Sequence, residues 1–374
     1  MVTLLSPSEI ASALQLRDLS DPAHGPHAMQ LLLDRAVDAL AARWGCAVDV
    51  RRPRPVVAVE DNYDRLGYER SAITRDSRYT RYVSETTMLR SHTTAGVPPL
   101  LRELAARPGG ADVLLVLPGL VHRRDVIDRL HVGSPHQLDL WRIRDDGPAT
   151  ASDLQEMVET LVSAILPGVR WRAEPAEHPY TERGRQVDVH TSDGWVEVAE
   201  CGLAAPHVLA GAGLDPGRWH GLALGMGLDR ALMLRKGIPD IRLLRAAEPR
   251  IAGQLLDLDP WRPVSMMPPV RRDLSIVVDG DVDAELLGDR ARDALGGDAD
   301  VLEDLSVPAV VPHDDLPPHV RERLLIRPGQ VNALVRISLR PVAHTLTDSQ
   351  ANALRDRVYA ALHEGPVGEW TTWR

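Results

Sequence analysis

Apolar residues recur along this chain in two periods, and the places where one gives way to the other mark out its elements. MQLLLDRAVDALAARW (29–44) has apolar positions at three- and four-residue spacing and stops at Gly45, which predicts a helix with a glycine stop. ADVLLVLPGL (111–120) is an apolar run of strand length, and QLDLWRI (137–143) alternates as a second strand does. The charged stretch between them, VHRRDVIDRLHVGSPH, then becomes the connection of an antiparallel pair. SDLQEMVETLVSAIL (152–166) opens with capping-box spacing at Ser152 and Gln155 and lines up Leu154, Met157, Val158, Leu161 and Ile165 before Pro167, predicting a structural helix. QVDVHTSDGWVEVAECGL (186–203) alternates on both sides of Ser-Asp-Gly and predicts a hairpin. GLALGMGLDRALMLRKGI (221–238) reads as a strand passing through glycines into a helix.

The pattern changes after the proline-punctuated LDPWRPVSMMPPVRRD (258–273). Strand-like DLSIVVDG, helical DAELLGDRARDALGG, strand-like VLEDLSV and NALVRISLRP, helical DSQANALRDRVYAALHEG and terminal EWTTWR give β-α-β-β-α-β, the ferredoxin-like plan. That plan hosts many functions and assigns none. No internal repeat or low-complexity segment interrupts the sequence. Two domains are therefore expected, residues 1–260 and 265–374.

Composition narrows the function classes. The 374 residues are 44% hydrophobic, as expected of a globular protein, and the net charge of −10 argues against non-specific coating of nucleic acid while allowing a local basic face. Cys46 and Cys201 make neither a disulfide framework nor a Cys-x-x-Cys metal site, which fits a reducing compartment. The first residues lack a basic, apolar leader, and no run approaches the roughly 20 apolar residues of a membrane span, so a cytoplasmic location is expected. Lys236 is the sole lysine, and the chain contains no Phe. The glycines of GMGLDR imitate a dinucleotide loop, but the third glycine and the downstream acid are missing.

Several segments together resemble phenylalanyl-tRNA synthetase, a class II enzyme, and most closely its single-chain mitochondrial type. The segments are MLRSHTTA (88–95), HRRDVIDRLH with PHQLD (122–139), GLALGMGLDRALMLRKGIPDIRLL (221–244), PPVRRDLSIVV (268–278) and HTLTDSQ (344–350), in the family's order. The resemblance covers residue 56 to the end. It implies an α+β protein: a class II antiparallel-sheet catalytic domain followed by a ferredoxin-like anticodon-binding domain. The implied reaction is ATP- and Mg²⁺-dependent activation of Phe or a close aromatic analogue, then transfer to tRNA, with tRNA-Phe the expected partner. Monomer and homodimer both stay open, because no motif 1 is recognisable before residue 60.

The resemblance assigns Arg123 to motif 2 and Arg230 to motif 3 as catalytic arginines, since a planar bidentate donor suits a carboxylate being joined to a phosphate. ATP would be held by Arg123, Asp125, Gly225, Gly227 and Arg230, the glycines admitting close backbone approach. His92, Thr94, Gln137 and Asp139 fall on positions around the α-amino and carboxylate groups, with Asp139 a shortened form of the family's Glu. Arg124 reads as a surface charge. Asp128 and His131 fit an ion pair as well as a catalytic role, and His131 with His136 lacks a third metal ligand, so no metal site is assigned. Arg271, Arg272, Arg336 and Arg340 are candidates for tRNA phosphates or ordinary solvated strand residues.

The departures lie in the amino-acid pocket. HPYT (178–181) stands where the family has Phe-Pro-Phe-Thr, so His178 and Tyr180 replace both ring-holding phenylalanines, while Ala223 matches the pocket floor. Glu200 stands at a family glycine. In one reading Phe is excluded chain-wide so that the protein can be made when charged Phe-tRNA is limiting. In the other, His178, Tyr180 and Glu200 recognise a polar aromatic amino acid. Two further functions compete with tRNA charging: handing the adenylate to a carrier or small molecule, and a catalytically silent tRNA-binding regulator.

Overall fold

The computed structural model describes residues 3–77, 79–107, 111–123, 128–247, 249–263, 267–280, 282–341 and 344–366. They pack as two compact units: Met1–Arg123 with Ser134–Ile238 and Gly253–Trp261, and Arg124–Gly133 with Pro239–Ala252 and Arg262–Arg374.

The first unit is built on a seven-stranded sheet. Its strands are β1 (Ala47–Val50), β4 (Asp112–Leu120), β5 (His136–Arg144), β6 (Trp171–Pro175), β7 (Thr181–Thr191), β8 (Gly194–Ala204) and β9 (His220–Gly227), and a small ladder of β2 (Val56–Ala58) and β3 (Thr87–Leu89) stands apart from them. The order is β1-β4-β5-β9-β8-β7-β6, antiparallel except for β1 against β4. The predicted strand pair is thus β4 and β5, and the Ser-Asp-Gly hairpin is β7 and β8. In that hairpin Gly194 takes the positive φ of 113° that the turn requires.

Sequence pattern accounts for the helices. Ala28–Trp44 buries Met29, Leu32, Leu33, Ala36, Val37 and Leu40 along one stripe and ends at Gly45, which is left-handed at φ 64°. Ala151–Ile165 buries all five expected positions, but its capping box is Thr150 with Asp153 rather than Ser152 with Gln155. The helix starts two residues sooner than the sequence spacing suggests, because Thr150 and Asp153 satisfy the first amides reciprocally. Arg142, on the sheet face opposite the site, pairs bidentately with Asp112 at 2.9 and 2.7 Å and lies 4.6 Å from the Trp44 ring.

The second unit holds a three-stranded antiparallel sheet, β10 (Val270–Asp279), β11 (Leu302–Pro312) and β12 (Gln330–Leu339), in the order β10-β12-β11. Helices Ala284–Leu295 and Asp348–Leu362 cover one face, where Leu274, Ile276, Ala333, Val335 and Ile337 are buried against Leu287, Ala351 and Val358. This is the first five elements of the ferredoxin-like plan; the segment EWTTWR lies outside the described residues. A short helix, Pro318–Leu324, stands between β11 and β12, where the sequence pattern gave no prediction. No helix among the described residues is long and apolar enough to cross a membrane.

Candidate active site

Opposed residues of an antiparallel ladder point to the same face, so the register builds the site directly. Leu117, Asp139, Gly225, Glu200 and Gln186 form one transverse row across β4, β5, β9, β8 and β7. Two residues along, Trp141, Ala223 and Gly202 form the next row, and on the other side Gln137 faces Gly227. The central strand thus presents Ala223, Gly225 and Gly227 between walls carrying Gln137 and Asp139 on β5 and Glu200 on β8. Among the described residues, a Cβ built on Gly225 would meet only the Asp139 carboxylate, at 3.8 and 3.9 Å, and one on Gly227 only Arg230 Cβ, at 4.0 Å. Packing among the described residues does not require either glycine, which leaves the backbone of β9 open on this face.

Asp139 is 2% exposed. Thr93 Oγ1 donates to it at 2.6 Å and Trp141 Nε1 at 3.2 Å, and Thr94 also hydrogen-bonds to it. Burial raises its pKa, opposed by these donors and by Arg123. Gln137 Oε1 accepts from the Thr93 amide at 3.3 Å. The backbone carrying Thr93 and Thr94 is thereby clamped onto β5. Both Thr93 and the expected Thr94 hydrogen-bond to Asp139, and Thr93 is a contact that spacing alone did not single out.

His92 leaves this same segment and stacks on Tyr68, with centroids 5.8 Å apart and planes 15° apart. Burial, then Arg123, pushes its pKa down to about 3, so the ring is neutral. Its Nδ1 is buried with no hydrogen-bond partner among the described residues, while Asn62 Nδ2 lies 3.5 Å from Nε2. Arg123 is anchored by Nε donating to Ser91 O at 2.7 Å and acts electrostatically on His92, Asp139, Glu197, Glu200, Tyr68 and Tyr180. Arg123 thus acts on Asp139, Glu200 and Glu197 together, joined by Arg230 at Glu197 and by Arg90 at Asp139. Arg230 sits in helix Leu228–Lys236 directly after the glycines and donates to Glu197 O at 2.9 Å.

At the other end Tyr180 lies among rings, 6.1 Å from Trp141, 6.4 Å from Tyr68 and 5.9 Å from His178. His178 Nε2 is 3.0 Å from Glu200 Oε1, with side chains 10% and 41% exposed. The hydrogen bond from His178 holds the Glu200 carboxyl below its usual pKa, against the effect of burial. Tyr68 and Trp141 were not among the expected residues; Trp141 was legible as an inward position two residues past Asp139, whereas nothing in the spacing marked Tyr68.

The remaining candidates divide. Asp125 and Arg124 lie outside the described residues. His136 is a core histidine: its Nε2 accepts from Leu19 N at 2.9 Å, and Nδ1 lies 3.1 Å from Asp229, whose other oxygen accepts from the His136 amide. His131, in the second unit, hydrogen-bonds with the Asp128 carboxylate at 2.7 Å. Of the four C-terminal arginines, Arg336 pairs bidentately with Asp273 at 2.8 and 2.9 Å, Arg272 reaches Asn352 and Asp348, each at 3.0 Å, and Arg340 is 3.2 Å from Glu303. Arg271 and Arg336 share the sheet face away from the helices, and Arg272 points to the opposite face. The four do not form one basic surface.

A mostly antiparallel sheet, with a glycine strand floored between acceptors and fixed arginines, defines a class II aminoacyl-tRNA synthetase core. Residues 34–255 match the family described as tRNA synthetases class II core domain (F), and the chain belongs to that family. It is 36% identical over 193 residues to a phenylalanine–tRNA ligase alpha subunit of Prochlorococcus marinus (strain MIT 9313), covering 52% of this chain and 56% of the relative. It is 31% identical over 228 residues to that of Nostoc punctiforme, covering 61% and 66%. The chain thus spans less than two thirds of the length of these relatives. A solved pyrrolysyl tRNA synthetase of Desulfitobacterium hafniense overlaps 60% of this chain and 75% of its own with a TM-score of 0.44 at 18% identity.

Proposed function

We propose that this protein is a phenylalanine–tRNA ligase-like enzyme, which uses ATP to activate an aromatic amino acid and transfers it to tRNA. The observation that carries the reading is the row Asp139, Gly225, Glu200 with Arg123 acting on both carboxylates: a buried acceptor for an ammonium, an open backbone floor and an anchored cation. Asp139 and the neutral His92 receive the α-ammonium end, with Gln137 and Thr94 beside them. The substrate carboxylate oxygen attacks the α-phosphorus of ATP, forming the mixed anhydride as the bond to pyrophosphate breaks. Arg123 stabilises the charge that develops there, and Arg230, at the far end of the glycine strand, holds the departing phosphates. Gly225 and Gly227 leave room for the nucleotide, and Mg²⁺ accompanies its phosphates as part of the substrate. Asp125, from the motif 2 segment, is retained as a candidate ATP contact.

Residues 1–260 act as the catalytic domain and 265–374 as the anticodon-binding domain, with 128–133, 239–247 and 249–252 packing in the same unit as the latter. Arg271, exposed on the open sheet face, is the favoured phosphate contact of the four arginines, because the other three already engage carboxylates. The named relatives are alpha subunits, which points to a second kind of subunit as a possible partner; the ferredoxin-like topology of the second unit favours the single-chain arrangement instead. Amino-acid-dependent ATP–pyrophosphate exchange and tRNA charging by the purified chain test the reading. Exchange followed by charging is expected, and exchange without charging of any tRNA points to adenylate transfer elsewhere.

A further inference from the structure

We propose that the amino acid taken by this site carries a hydrogen-bond donor on its aromatic ring, a phenol or an aryl amine, and that Glu200 with His178 recognises that donor. The proposal rests on the function stated above and names the substrate class of the same trough. At the ring end Ala223 and Trp141 are buried beneath Tyr180 and Tyr68, so the flat apolar surfaces that an aromatic side chain would meet beside Glu200 are those of the two tyrosines. The ring end is nonetheless not an apolar pocket. Glu200 stands in the floor row beside Gly225, and His178 occupies one of its oxygens at 3.0 Å, leaving acceptor capacity on a carboxylate kept ionised by that same contact. The Tyr180 ring is packed on three sides, against Tyr68, Trp141 and His178, which brings this hydroxyl-bearing ring to the same end of the row. The Tyr68 ring lies between Tyr63 and His92.

An unsubstituted phenyl ring seated beside Glu200 would cover its carboxylate without offering it a donor. A site built to hydrogen-bond a ring substituent discriminates against the analogue lacking it by far more than a site that merely fits the ring. A carboxylate selects for donors in particular: a hydroxyl or amine meets it, and a methyl or halogen of the same size does not. Glu200 is also the residue that chain-wide exclusion of Phe leaves unaccounted for, since it does not stand at a Phe position of the resembling family.

The test is ATP–pyrophosphate exchange with the full chain and five amino acids: phenylalanine, 4-methylphenylalanine as the size-matched apolar control, tyrosine, 3-hydroxyphenylalanine and 4-aminophenylalanine. We expect kcat/KM for at least one of the last three to exceed that for both apolar amino acids by about tenfold or more. In Glu200→Gly and in His178→Phe that ratio should fall by about tenfold. The isosteric Glu200→Gln guards against misfolding and should lower it too, most for the amine. A preference for phenylalanine or 4-methylphenylalanine, or a polar preference that none of the three substitutions alters, overturns the proposal and leaves aromatic activation standing. Exchange with no amino acid at all overturns both.

Discussion

Two glycines of β9 make opposite predictions from one substitution. At Gly225 an added Cβ meets, among the described residues, only the Asp139 carboxylate, at 3.8 and 3.9 Å, an ordinary contact. At Gly221, four residues back on the same face, it would lie 2.6 Å from Ile143 Cδ1 and 2.8 Å from the Arg142 carbonyl, which the backbone cannot yield. Gly225→Ala should therefore leave folding unchanged or gain about 0.4–1 kcal/mol from the stiffened unfolded chain, provided its strand conformation suits alanine. Gly221→Ala should lose about 1–3 kcal/mol to overpacking, a fall in Tm of about 2–12 °C for a unit of this size. Function should order the other way. A methyl group on the trough floor at Gly225 intrudes on the nucleotide and amino acid by a comparable overpacking cost, about five- to 150-fold in kcat/KM. Thermal melts and pyrophosphate exchange on both variants decide it. If Gly225→Ala melts as low as Gly221→Ala, or exchanges at the wild-type rate, β9 is not the floor of a binding trough.

Asp139→Asn should raise the amino-acid KM about 10- to 150-fold, the worth of a hydrogen bond to a charged group, with a smaller effect on the ATP KM; equal effects on both would argue against its place at the ammonium end. Because burial raises the Asp139 pKa above its unfolded value, the stability linked to it is full below the unfolded pKa and is lost as pH rises through the folded one. The ionised form then waits for a cation, so amino-acid affinity should fall as pH drops through the raised value, and Asp139→Asn should flatten that limb. His92, titrating at about 3, should add no limb near neutrality. Arg90 is buried, donates to Leu120 O at 2.7 Å and Pro53 O at 3.2 Å, and has its pKa lowered to about 10 by burial. Arg90→Leu strands both carbonyls and should cost about 2–6 kcal/mol in denaturant unfolding; a loss under about 1 kcal/mol would mean the site relaxes around it. Arg271→Glu should weaken tRNA binding and lower its salt slope by about 1 while exchange is unaffected; an unchanged slope would remove Arg271 from the phosphate-contacting set.

Hydrophobic period was a sufficient guide to the main elements. The stripe of Ala28–Trp44, the run of β4 and the alternation of β5 each correspond to one face being buried, and burial is what periodicity reports. Resemblance marked Gln137, Asp139, Gly225 and Glu200 as separate positions, and register then brings three of them into one row, a fact about pairing between strands up to 86 residues apart in sequence (Asp139 and Gly225). What sequence could not supply was the choice among near-equivalent partners. Thr93 and Thr94 differ by one position, and Thr150 and Ser152 are both good caps; the outcome turns on backbone direction set by the rest of the fold. Counting arginines likewise could not reveal that Arg272, Arg336 and Arg340 each face a carboxylate. Tyr68 reaches the pocket from a loop whose path no short-range pattern records.

The central claim is that this trough makes an aminoacyl-adenylate. Its most direct measurement is amino-acid-dependent ATP–pyrophosphate exchange by the wild-type chain and by Arg123→Ala, in the absence of tRNA. The account predicts exchange driven by an aromatic amino acid and reduced about 100-fold or more in the variant, as for removal of a preorganised transition-state donor. A wild-type chain that exchanges with no amino acid, or an Arg123→Ala chain that exchanges as well as wild type, would contradict it.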